Sequence, residues 1–150
     1  MIEIRPFHPA DEDAVQALIL AGLEEYWGFI DESKNPDLED IGVTYQDGVF
    51  LVAWLDNEIV GTGAFVPRSS DIVEVVRMSV IRSMRGQGIG RQILEALCRI
   101  AIQSGYRRVV LETTATWEKA IAFYKSFGFQ ITHYAEGDVY FSLDLKAYFR

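Results

Sequence analysis

The chain has a single cysteine, Cys98, among its 150 residues. That excludes an internal disulfide and a cysteine-based zinc site. Histidine is nearly as scarce. His8 and His133 lie far apart without metal-ligand spacing, so no metal is expected. No apolar run approaches the ~20 residues of a membrane-spanning helix, so no membrane partner is expected. Met1-Ile2-Glu3-Ile4-Arg5 begins like a strand, not like the basic-then-apolar start of a signal peptide. A cytoplasmic location is the corresponding expectation. Positive charge is also in deficit: 14 bases against 22 acids leave a net charge of −8, which disfavours nucleic acid as a partner. Repeats, linkers and low-complexity segments are absent.

What remains is rich in core-forming residues. Hydrophobic side chains make up 49% of the chain, enough to fill one core, so a single domain over residues 1–150 is expected. The charges are unevenly spread. Residues 24–47 hold Glu24, Glu25, Asp31, Glu32, Asp37, Glu39, Asp40 and Asp47 against Lys34 alone. Residues 77–108 hold Arg77, Arg82, Arg85, Arg91, Arg99, Arg107 and Arg108 against Glu95 alone. A phosphate-rich ligand suits the second stretch and a cationic one the first; ordinary solvated faces explain both equally well.

Taken in order, residues 2–5 alternate as a strand that Pro6 and Pro9 end. Asp11, Glu12 and Asp13 then place acids in the first turn of a helix, whose apolar face is Val15, Leu18, Ile19 and Leu23. Gly22 weakens that helix and Gly28 comes after it. Tyr26, Trp27, Phe29 and Ile30 form an aromatic-apolar cluster, and residues 36–41 suit one or two helical turns. Residues 49–55 and 58–66 make a hairpin about Asp56-Asn57. Gly61 and Gly63 lower strand propensity in its second arm and allow close approach of another backbone. Residues 72–80 give a third antiparallel strand. A helical face of Ile89, Ile93, Leu97, Ile100 and Ala101 ends at the Gly105 cap. A strand over residues 108–112 comes next, and the crossover makes it parallel to the strand before the helix. A helix over residues 114–127, with Thr114 or Thr116 as N-cap, and a hairpin about Glu136-Gly137-Asp138 complete the chain. The order β-α-(α)-β-β-β-α-β-α-β-β predicts an α/β domain with a mixed, mostly antiparallel sheet, a central parallel strand pair and flanking helices.

The most informative stretch joins the third strand to the helix after it. Arg85-Gly86-Gln87-Gly88-Ile89-Gly90 lies at the helix start, where backbone N–H groups lack internal partners and the dipole is positive. Glycine lets an anion approach without meeting a Cβ. This is an arrangement for holding a diphosphate. The third glycine comes one residue too early for the dinucleotide fingerprint, and Arg91-Gln92 after Gly90 rules out a P-loop. Arg85, Gly88 and Gly90 instead spell Arg-x-x-Gly-x-Gly, which resembles the acyl-CoA-binding motif of the GNAT N-acetyltransferase superfamily. Glu74-Val-Val-Arg-Met-Ser-Val80 resembles that family's fourth strand, and Ala120-Ile121-Ala122-Phe123-Tyr124-Lys125-Ser126-Phe127-Gly128-Phe129 its A-I-x-x-Y-x-x-x-G-F segment. The likeness is strong in the second half of the chain and one of pattern in the first.

The resemblance implies a GNAT-like acyl-CoA N-acyltransferase fold. It also implies direct transfer of an acetyl group from acetyl-CoA, as cosubstrate, to a primary amine within a ternary complex. It places the diphosphate on Arg85, Gly86, Gln87, Gly88, Ile89 and Gly90, and the pantetheine arm on the backbone of Met78 and Val80. Glu74 matches the acid that serves as base. Alternation puts it on a strand face with Val76, Met78 and Val80, unless a bulge breaks the parity. Tyr124 matches the tyrosine that protonates the departing thiolate. The family often has an asparagine three residues before the alanine of the last segment. Trp117 stands there, so that contact is lost or replaced, and the indole could pack against the pantetheine instead. Cys98, mid-helix, reads as buried filler. The acceptor, a small-molecule or peptide amine, is not identified, and a homodimer is left open. Two other readings are a non-catalytic acyl-CoA-binding module and a dinucleotide enzyme with Glu112 on the ribose. Retention of Glu74 and Tyr124 argues against the first, and the glycine register against the second.

Overall fold

The structure is a computed structural model, and it describes residues 1–27 and 35–149. The elements are β1 (Glu3–Pro6), α1 (Glu12–Trp27), α2 (Ile41–Thr44), β2 (Val49–Leu55), β3 (Glu58–Pro67), β4 (Ile72–Val80), α3 (Ile89–Gln103), β5 (Arg108–Thr114), α4 (Glu118–Phe127), β6 (Gln130–Ala135), β7 (Asp138–Asp144) and α5 (Leu145–Tyr148). Single 3-10 turns lie at Pro9–Asp11, Pro36–Leu38 and Arg82–Met84. The strands form one seven-stranded sheet in the order β1-β2-β3-β4-β5-β7-β6. β4 and β5 are its parallel pair, with Ile72 opposite Arg108 and Glu74 opposite Val110. The α/β architecture is the one the element order predicts.

The chain divides into two compact units. The first comprises Met1–Val66 and Val76–Leu97. Its core gathers Val15, Leu18 and Ile19 of α1 with Leu38, Ile41, Tyr45, Phe50, Val52 and Ala64. Asp56 and Asn57, at φ 48° and 69°, both take the left-handed conformation of a tight type I′ hairpin, which is why β2 and β3 end where the turn residues say. Gly61 and Gly63 provide the expected close approach. A Cβ at Gly61 would stand 2.9 Å from Ile93 Cδ1, and one at Gly63 would stand 2.5 Å from Ile93 Cγ2, so α3 lies directly on β3. Gly22 does the same for α1, 3.1 Å from Ser79 Oγ of β4.

The second unit comprises Pro67–Val75 and Cys98–Arg150. Val109 and Leu111 of β5 alternate inward with Val139, Phe141 and Leu143 of β7. Tyr124 and Phe127 of α4 and Phe129 are buried as well, with the Tyr124 ring centroid 5.7 Å from that of Phe141. Cys98 is fully buried, as filler.

Two expected boundaries are corrected. α4 starts at Glu118 rather than Thr114, with Trp117 at the N-cap and no capping side chain. Thr113 and Thr114 are kept in β5 by pairing with Val139 and Asp138, and ladder bonds outweigh a threonine's capping preference. Leu145 does not end β7 but opens α5, capped by Asp144, whose Oδ1 accepts from the Lys146 and Ala147 N–H groups. The expected cluster of Tyr26, Trp27, Phe29 and Ile30, with Gly28, falls outside the described side chains.

Candidate functional site

The glycine turn opens α3 as its sequence suggests. Gly86 and Gly88 sit at φ 80° and 84°, a region that costs any other common residue strain. Among the described residues a Cβ at either would meet no atom within 4 Å, so conformation rather than packing against them calls for glycine. The helical ladder begins where Gln92 N–H donates to Gly88 O, at 3.1 Å. The N–H groups of Ile89 and Gly90 precede that bond and have no acceptor inside the helix. The first turn of α3 carries no acid. Ile89 is buried and anchors the helix, while Arg85, Gly86, Gln87 and Gly88 are exposed. These residues fit a diphosphate.

Arg85 is placed by two neighbours. Its Nε donates to Val80 O at 3.0 Å, while Nη1 and Nη2 donate to the two carboxylate oxygens of Glu25 on α1, at 2.6 and 3.0 Å. The bond from Arg85 holds the Glu25 carboxyl below its ordinary range.

β4 is not a regular strand. Arg77 lies at φ 56°, left-handed, in mid-strand. Val76 packs on the α1–α2 core, yet the Met78 sulfur lies on the α3 side, 2.6 Å from where a Gly63 Cβ would be. In a regular strand these two would share a face. The parity is broken, so Glu74 does not share one face with Val76, Met78 and Val80. Arg77 is held by Asp37, through Nε to Oδ2 at 2.9 Å and Nη2 to Oδ1 at 2.6 Å, and by Asn35 Oδ1 at 3.0 Å. The Tyr45 hydroxyl donates to Asp37 Oδ2 at 2.6 Å. Burial by itself would raise the Asp37 carboxyl, but bonds from Arg77 and Tyr45 outweigh it and hold the group below its ordinary value. Burial and the Asp37 bond both raise the Tyr45 phenol.

In the second unit, Glu74 meets Arg68 rather than an apolar surface. Arg68 Nε and Nη2 both lie on Glu74 Oε1, at 2.6 and 2.5 Å. Tyr124 is 8% exposed and packs against Phe129 and Phe141, ring centroids 5.9 and 5.7 Å away. Trp117 is half-buried at the start of α4, its N–H bonded to Thr114 O at 3.0 Å. Glu112 stands opposite Tyr140 in the β5–β7 ladder. Partial burial raises its carboxyl; the neighbouring Tyr140 hydroxyl opposes this and Asp138 adds to it. Among the described residues no group of acids, histidines and cysteine could hold a metal ion.

Sequence reasoning missed Arg68, Arg77, Asn35 and Thr62. A positive φ in mid-strand leaves no local signature when the residue is arginine, Asn35 and Thr62 act through long-range pairing with it, and Arg68 meets Glu74 only once the turn between β3 and β4 has closed. The acidic stretch is also less available than its composition suggests. Glu25 and Asp37 are engaged by Arg85 and Arg77, and Asp40 caps α2 through the Val43 N–H.

Residues 15–129 match the acetyltransferase (GNAT) family. The chain belongs to that family. It is 31% identical over 135 residues to the uncharacterized N-acetyltransferase YjgM of Escherichia coli (strain K12), covering 85% of this chain and 81% of that protein. It is 34% identical over 122 residues to the N-acetylaspartate synthetase of Danio rerio, covering 75% of this chain but 43% of that one. Beyond YjgM, the chain spans about half the length of the curated relatives it matches. Among solved structures, a GNAT-family acetyltransferase from Staphylococcus aureus Mu50 superposes with a TM-score of 0.89 at 21% identity, covering 97% of this chain and 99% of that one. The PaiA N-acetyltransferase of Thermoplasma acidophilum, solved with coenzyme A, gives 0.85 at 17% identity, with 96% and 99% covered. Membership of an acyltransferase family removes the dinucleotide reading.

Proposed function

We propose that this protein is an N-acetyltransferase that moves an acetyl group from acetyl-CoA to a primary amine by direct transfer in a ternary complex. The observation that carries the reading is the turn of residues 85–90, whose two left-handed glycines open α3 on a side clear of atoms of the other described residues. In this reading the N–H groups of residues 86–90 hold the diphosphate, with Arg85 beside them. The backbone of Met78 and Val80 pairs with the pantetheine arm as an added strand would. Glu74 takes the proton that the amine must lose, directly or through water; both Arg68 contacts fall on Oε1, which leaves Oε2 for that task among the described residues. The Tyr124 hydroxyl gives a proton to the departing thiolate, and Trp117 packs against the pantetheine. Holding both reactants in line supplies much of the rate. The acceptor is a small-molecule or peptide amine. The acidic stretch supports a cationic acceptor less than its charge suggests, because Glu25 and Asp37 are already paired.

Calorimetry with acetyl-CoA, with Gly88→Val as the site control, tests this. Valine at a left-handed φ strains the turn and puts a branched group where oxygens must approach. Affinity should fall at least about tenfold, roughly 1.4 kcal/mol, in a variant of unchanged circular dichroism. Equal affinity would remove the cradle. A thiol-release assay over a mixed amine library, read out by mass spectrometry of the product, then finds the acceptor. Binding without turnover over the whole library would leave a non-catalytic acyl-CoA module.

A further inference from the structure

Arg77 is the wrong residue for its own backbone. At φ 56° in mid-strand, glycine would sit without strain, and asparagine or aspartate nearly so. A long cation is there instead, and contacts on both its main chain and its side chain hold it. Its carbonyl accepts from the Thr62 hydroxyl at 2.8 Å, and Thr62 is fully buried. Its guanidinium takes both oxygens of Asp37 and the side-chain oxygen of Asn35. Asp37 is fixed in turn by Tyr45, whose ring packs edge-on to Phe50 of β2. The ion pair is mostly shielded, with 18% and 23% of the two side chains exposed.

The position matters because residues 78–80 come directly after it. The left-handed residue sends Met78 to the α3 side of the strand, opposite to Val76, and so sets how the backbone of residues 78–80 is presented. A regular strand would present its other edge there. A strained residue persists only where its surroundings over-determine it. The bonds that do so come from β3, through Thr62, and from residues 35–45. We infer that Arg77 is a positioning residue: its fork on Asp37 locks the bulge of β4 and couples residues 35–45 to the backbone that takes the acyl-CoA arm. In its bearing on acyl-CoA the inference rests on the function proposed above.

Arg77→Gly tests it, since glycine suits the left-handed backbone while the side chain is removed; because glycine also loosens the chain locally, Asp37→Asn, which leaves residue 77 unchanged, is the decisive partner. Asp37→Asn and the double variant accompany it. Hydrogen exchange by mass spectrometry, on protein without ligand, should speed up in both Arg77→Gly and Asp37→Asn at residues 78–81 and at residues 35–45 together. Residues 108–114 should keep their rate. Acetyl-CoA affinity should fall at least about fivefold in both single variants, and no further in the double variant, because one fork is lost in each case. Arg77→Lys, which keeps the charge but not the fork, should rescue only part. A structural ion pair alone would lower the melting temperature and leave affinity and the two exchange rates uncoupled, and that result overturns the inference. If exchange is coupled but the wild type binds no acetyl-CoA, the lock stands and the proposed function fails.

Discussion

Arg85 shows how a residue can be legible by type and not by state. Its spacing from Gly88 and Gly90 makes it a candidate phosphate neighbour, the role proposed for it above. The carboxylate that occupies it comes from sixty residues earlier, where no spacing rule reaches. Glu25 could help the cradle by orienting the guanidinium, or hinder it by placing a negative charge beside a dianion. Geometry decides between them. The bond from Arg85 Nε to Val80 O orients the group without Glu25, so the carboxylate is left chiefly as a competitor. Glu25→Gln should therefore tighten acetyl-CoA binding by about two- to fivefold at low salt, with the gain gone near ~1 M salt. Calorimetry across ionic strength measures this, and weaker binding in the variant would mean that orientation dominates. Glu74 carries the same lesson. Alternation along the strand suggested an apolar face, but Arg77 breaks the alternation and Arg68 meets the carboxylate.

At the level of elements, the turns were readable because a few residue types own them. Asp56-Asn57 and Glu136-Gly137 take positive φ at both central positions, and Gly105 and Gly128 end helices at φ 92° and 129°. The start of α4 was not readable, because Thr114 serves a strand ladder and a helix cap equally well on local grounds. Pairing with Asp138, distant in sequence, decided it. The glycines of β3 lie between these cases: their need for space was visible, and their neighbour was not. That neighbour is α3, and the fit makes a prediction. Alanine at Gly63 would set its Cβ 2.5 Å from Ile93 Cγ2 and 2.6 Å from Met78 Sδ. Methionine can swing aside, but the Cγ2 of a β-branched side chain on a helix cannot. Gly63→Ala should cost about 1–3 kcal/mol, seen as a lower urea midpoint with an unchanged slope. An equal midpoint would show that α3 can withdraw freely from β3.

Over the whole molecule, a charge of −8 sets the terms on which pH acts. Lowering the pH relieves self-repulsion among 22 acids, which favours the folded state at first. Individual carboxyls then act in opposite directions. Asp37 is held below its ordinary value of 3.8 by Arg77 and Tyr45 despite its burial. Its contribution is therefore complete above the unfolded value and is lost as pH falls through the folded one. Glu112 is raised above 4.5, by burial first and by Asp138 after it. Its folded-state charge costs stability, so its contribution is present at low pH and is lost as pH rises through the folded value. Two isosteric variants separate the effects. Asp37→Asn should be less stable than wild type near about pH 7, since it leaves Arg77 half-paired, and the deficit should narrow as pH falls below the ordinary value of 3.8 and the wild type loses the same interaction. Glu112→Gln should equal or exceed wild type near about pH 7, and any advantage should vanish below about pH 4. Urea unfolding at matched pH values reads both. A deficit in Asp37→Asn that stays constant with pH would show that the fork on Arg77 contributes shape alone, and that the carboxylate's charge does not hold the bulge of β4.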